Sequence, residues 1–89
     1  MPGTVVQVYF REKKAGWGEF TLLETDFPDF EQFLIAVDEN RLICGTNLWT
    51  RPQPSGARLV TSRKVVAFRG EEVLRASLPT WRLIEEAEA

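Results

Sequence analysis

From Thr4 to Glu12 apolar and polar positions alternate, with Val6, Val8 and Phe10 on one side and Gln7, Tyr9 and Arg11 on the other. This is the period-two signature of a half-buried strand. Trp17 to Glu24 repeats it, with Phe20 and Leu22 on the apolar side. Between them Lys13-Lys-Ala-Gly-Trp17 is a turn signal centred on Gly16. A four-residue loop would set Phe10 opposite Glu19. A five-residue loop sets Phe10 opposite Phe20, Val8 opposite Leu22 and Arg11 opposite Glu19, and is the register expected from side-chain pairing.

The period then changes to that of a helix. Phe27, Phe30, Phe33, Leu34 and Val37 fall on one stripe, the apolar face of an amphipathic helix. Asp26 is the expected N-cap, Pro28 sits in the expected first turn, and Asp29 and Glu31 complement the positive end of the dipole. Asn40 is the expected left-handed stop.

Extended segments follow: Arg41 to Arg51, with Gly45 at an expected bulge or bend; Arg58 to Arg69; Val73 to Leu78; and a short last strand over Thr80 to Glu85. Pro52 to Ala57 holds the breakers of a loop. The pattern predicts a single α+β domain over 1–89: an antiparallel curved sheet of about six strands, order ββαββββ, packed on one amphipathic helix, with 84–89 as an acidic tail prone to fraying.

Val65 to Phe68 is four apolar residues in a row, and a strand must turn two of them to each face. A two-residue turn at Gly70-Glu71 would make 63–78 a hairpin. Val65, Ala67, Leu74, Ala76 and Leu78 would then face the helix. Lys64, Val66, Phe68, Val73, Arg75 and Ser77 would form a mixed outer face suited to an interface.

Composition narrows the chemistry. The chain has 89 residues, 44% hydrophobic and 27% charged, ordinary for a globular domain. Its net charge of −2 is unevenly spread. Residues 1–40 hold three basic side chains against eight acidic ones, residues 41–82 hold eight against two, and the tail is acidic. With no histidine, every histidine-dependent triad and the commonest metal ligand are excluded. One cysteine, Cys44, excludes an internal disulfide framework and reads as a small buried strand residue. No phosphate-binding glycine motif and no ~20-residue apolar run are present. These features predict a cytoplasmic, non-enzymatic protein with no cofactor, no metal and no membrane contact.

What remains is cationic and aromatic. Trp49, Arg51, Lys64, Val66, Phe68, Val73, Arg75, Trp81 and Arg82 form the candidate interface, because Trp and Arg are enriched at interface hot spots. Arg58, Arg63 and Arg69 belong to the same β-rich, basic half. The leading expectation is an interaction module that self-associates as a homodimer or higher oligomer, or takes another protein partner. The first alternative is single-stranded nucleic-acid binding through the same arginines and tryptophans. A further alternative is a small-ligand or anion pocket between helix and sheet.

Overall fold

A computed structural model describes residues 3–12 and 20–85. They form β1 (Val5–Phe10), β2 (Thr21–Thr25), α1 (Phe30–Asp38), β3 (Leu42–Pro52), β4 (Arg58–Arg69), a 3-10 turn (Gly70–Glu72), β5 (Val73–Ser77) and β6 (Leu83–Glu85). The α+β class and the ββαββββ order agree with the sequence pattern. All strands belong to one sheet, ordered β5-β1-β2-β3-β4-β6. Four of its pairs are antiparallel, but β6 lies parallel to β4. The expected turn around Gly16 lies outside the described residues, as does the end of the acidic tail; Ile84 and Glu85 belong to β6.

The expected 63–78 hairpin does not form. β4 and β5 are consecutive but pair with different neighbours, β5 lying against β1 at the far side of the sheet. In a flat sheet they would stand four spacings apart, about 19 Å. The link from Arg69 to Val73 reaches only about 14 Å, so the sheet has to curl. Two irregularities help it do so: Thr61 is an extra residue opposite Trp49–Thr50, and Leu74 an extra residue opposite Tyr9–Phe10. Gly45 is not one of them, since pairing runs regularly through it. A β-carbon there would come within 2.9 Å of Leu23 and of the Glu24 carbonyl oxygen, so the glycine serves close approach.

The 3-10 turn is held by the end of the helix. Gly70 N–H donates to the Arg41 carbonyl (3.1 Å), and Glu71 N–H donates to Asn40 Oδ1 (2.9 Å). The Glu72 carboxylate accepts from Arg69 N–H (2.8 Å). Asn40 has φ 53°, the left-handed stop expected from the sequence. The start of the helix differs from expectation. Asp29, not Asp26, is the N-cap, accepting from Gln32 N–H at 2.9 Å. Phe27 precedes a proline, which disfavours helical backbone there. Its carbonyl instead accepts from Thr4 N–H (2.8 Å), tying the segment to the approach to β1.

Two apolar clusters lie on opposite sides of the sheet. Under the helix are Val6, Val8, Leu23, Phe33, Ala36, Ile43, Phe68 and Val73. Phe33 stacks on Phe30 (centroids 6.4 Å apart) and meets Phe27 edge-on (5.9 Å); Phe68 meets Phe10 edge-on at 4.9 Å. Leu34, expected on the helical stripe, is exposed, and Ala36 takes the buried place. The second cluster is Leu22, Leu48 and Val60, with Val5, Phe20, Trp81 and Leu83 packed against it. The C-terminal segment therefore covers part of the helix-free face.

Two register expectations are corrected. β1 and β2 pair Val8 with Thr21 and Val6 with Leu23, one residue away from the expected register. β2 is buried on both faces, so Leu23 joins Val6 and Val8 while Leu22 joins the second cluster. In β4 the faces are reversed. Phe68 pairs with Ile43 under the helix and is 3% exposed, whereas Val65 is 77% exposed. Val66 packs against the helix-side cluster and Val73 is buried; Leu74, Leu78 and Ala67, expected beside the helix, are exposed. β3, not β5, sets the register of β4.

Candidate functional site

The nine candidate residues separate. Phe68 and Val73 are buried in the helix-side core, and Val66 is partly buried against it. Lys64 and Arg51 are exposed, and Arg82 is exposed with its carbonyl accepting from Arg58 N–H (2.9 Å). Trp49 is half-buried near the end of β3. Arg75 and Trp81 enter a common arrangement, together with residues the candidate set lacks.

That arrangement is a cation–aromatic ladder. The Arg75 guanidinium lies 4.2 Å from the centre of the Tyr9 ring, because β5 pairs Arg75 directly with Tyr9. Tyr9 is followed by Phe20 (centroids 6.1 Å apart), and Phe20 stacks on Trp81 (5.4 Å, 19° between planes). Arg58 closes the series, 4.9 Å from the Trp81 ring and 5.9 Å from Phe20. Gln7 Nε2 donates to the Tyr9 hydroxyl (2.8 Å) and steadies that ring. Each cation–ring contact contributes about 0.5–1 kcal/mol at partly exposed positions. The tryptophan and arginine were visible in the sequence; Tyr9 and Phe20 read there as ordinary strand residues. Only the β1–β5 pairing and the fold-back of the C-terminal segment bring them together.

The other cations are partly neutralised. Arg63 on β4 pairs with Glu85 on β6. The hydrogen bond that its guanidinium donates to the Glu85 carboxylate raises the Arg63 pKa above its ordinary range, so that group stays charged. Arg41 pairs with Glu39 at 3.6 Å, both exposed, a contact of little energetic consequence.

Two concave places bear on binding. The first, about 210 Å³, lies where β2 and β3 part, with Thr21, Asn47, Trp49, Thr50 and Arg58 on its walls. The second, about 250 Å³, borders Glu24, Asp26, Cys44, Thr46 and Val65 on the helix-free face. Cys44 is exposed, against the buried position expected for it. Alternation along β3 puts Ile43 under the helix and turns Cys44 to the opposite face. Beside it the pairs Leu42–Arg69, Cys44–Ala67 and Thr46–Val65 form a strip across β3 and β4. Leu42 is 59% and Val65 77% exposed.

Among the described residues no three His, Cys, Asp or Glu side chains gather as a metal-binding group, and no helix is long and apolar enough to cross a membrane. Compared with known protein families, with curated proteins and with solved structures, the chain has no match in any of the three.

Proposed function

We propose that the protein is a small interaction module that self-associates through the helix-free face of its sheet. The observation that carries this reading is the apolar strip Leu42, Cys44, Ala67 and Val65, exposed between Arg69 and Arg63 on β4. The C-terminal segment covers the same face only at the Leu48–Val60 end. Exposed apolar surface rimmed by charge is the usual composition of an interface core and rim. The working surface therefore differs from the face first expected: Val65 replaces Phe68 as its centre.

Val65→Glu is expected to abolish self-association without loss of fold, because the side chain is 77% exposed and packs in neither cluster. Light scattering after size-exclusion chromatography reads the outcome. Wild-type protein that stays monomeric at high micromolar concentration ends this reading.

The cation–aromatic ladder favours a second reading, binding of single-stranded nucleic acid. Three partly exposed rings flanked by Arg75 and Arg58 offer stacking surfaces and phosphate partners on one side. An oligonucleotide titration is expected to show affinity that falls steeply between low and moderate salt. Salt-independent or absent binding removes it.

A further inference from the structure

We infer that a second copy of the chain docks on the helix-free face with its β3 running the same way, so that the acidic border of each face meets the basic border of the other. The inference rests on the self-association reading and adds the arrangement of the two copies. Strand pairing lays the face out in rows. Leu22 and Leu48 belong to the helix-free cluster, and Leu48 pairs with Arg63. Side chains alternate along each strand. The next rows on this face are therefore Glu24–Thr46–Val65, then Cys44–Ala67, then Leu42–Arg69. Asp26 follows the end of β2 and borders the concavity that Glu24, Cys44 and Val65 also line.

The charges of the face are thus sorted by strand. Glu24 and Asp26 stand on the β2 side, and Arg63 and Arg69 on the β4 side. The uncharged strip through Cys44 and Val65 lies between them. Asp26, Arg63 and Arg69 are exposed and Glu24 is half-buried. Among the described residues Glu24, Asp26 and Arg69 make no ion pair. Arg63 holds Glu85, and its guanidinium has further donors to offer.

Two sheets stacked face to face lie about 10 Å apart with their strands aligned to within about 30°. A symmetric pair of copies can meet this in two ways. With the two β3 strands running oppositely, β2 lies over β2 and β4 over β4, and each border meets its own charge. With the two running the same way, about a two-fold axis parallel to β3, β2 of each copy lies over β4 of the other. Glu24 is then one row from Arg63 of the second copy, and Asp26 one row from its Arg69. Opposite charges across an interface fix its orientation, and like charges facing each other disfavour it. The layout of this face selects the second arrangement.

Sedimentation equilibrium of the wild-type chain and of charge variants tests it. The dimer dissociation constant is expected to rise at least several-fold between about 0.05 and 0.5 M sodium chloride, because the opposed borders are screened. Asp26→Lys and Arg69→Glu should each weaken the dimer by about tenfold or more, and the neutral Arg69→Gln should weaken it less. A chain carrying both Asp26→Lys and Arg69→Glu exchanges the two borders and should regain most of the lost affinity. Circular dichroism checks that each variant is folded. A dissociation constant that stays level or falls as salt rises overturns the arrangement. So do folded single variants that dimerise like wild type, or a double variant no tighter than the single ones. Where wild type dimerises and Val65→Glu does not, these results reject the arrangement alone; a wild-type chain that stays monomeric rejects the self-association reading with it.

Discussion

Phe68→Ala is expected to cost about 3–5 kcal/mol of folding stability, the usual penalty for emptying a buried aromatic position. A domain of this length has about 4–13 kcal/mol in total, so the variant should be close to unfolding at room temperature. The reason is local and specific. Phe68 is 3% exposed, packs edge-on against Phe10 at 4.9 Å, and belongs to the cluster holding Phe33 and Ile43. Its ring joins β4 to β1 across the curl of the sheet, so its loss loosens the closure as well as leaving a void. Val65→Ala, three residues earlier on the same strand, should change stability by no more than about 0.5 kcal/mol, because Val65 is 77% exposed. Urea unfolding of both variants decides the facing of β4. Near-equal midpoints would mean that β4 does not present Phe68 to the helix side.

Gly70→Ala should be among the most damaging single-methyl additions, costing about 1–3 kcal/mol as overpacking. A β-carbon at Gly70 would lie 2.3 Å from the Val37 carbonyl oxygen and 2.8 Å from its Cα. Both are backbone atoms at the end of α1, so no side chain can swing aside. Either the 3-10 turn must lift or the helix end must shift. Lifting the turn strains the hydrogen bonds from Gly70 N–H to Arg41 and from Glu71 N–H to Asn40 Oδ1. Thermal unfolding gives the magnitude, and hydrogen exchange at Gly70 and Glu71 gives the location. A variant as stable as wild type, with both amides still protected, would show that this contact does not hold the turn.

These two effects also explain why the 63–78 segment misleads as a sequence. Gly70-Glu71 between two apolar runs is a sound local hairpin signal. Locally nothing distinguishes a turn that folds back from one that docks on a helix end. The docking depends on Asn40 and Arg41, some thirty residues away, and on a glycine that lets backbone meet backbone. Once the turn docks, β5 passes to β1, and the faces expected from a hairpin exchange places. The expected interface residues Phe68 and Val73 then become core, Val66 packs partly buried against it, and Val65 becomes surface.

The candidate site divides along the same line. Arginine and tryptophan enrichment in the second half was visible directly, as was the lack of histidine chemistry. Tyr9, Phe20, Thr21 and Asn47 carried no signal of their own. Asn47 alternates like any strand residue, and its burial follows from pairing with β2 on one side and β4 on the other.

The sequence by itself determined the element order, the α+β class, the β4 boundaries and the left-handed end of the helix at Asn40. Each depends on periodicity or backbone preference within a few residues, which the local sequence states in full. Only the tertiary structure decided strand neighbours, the parallel β6, the one-residue shift between β1 and β2, and which face of each strand is buried. Those outcomes depend on strands distant in the chain, and a shift of one residue reverses every side chain. The strip at Val65 exists only at that level.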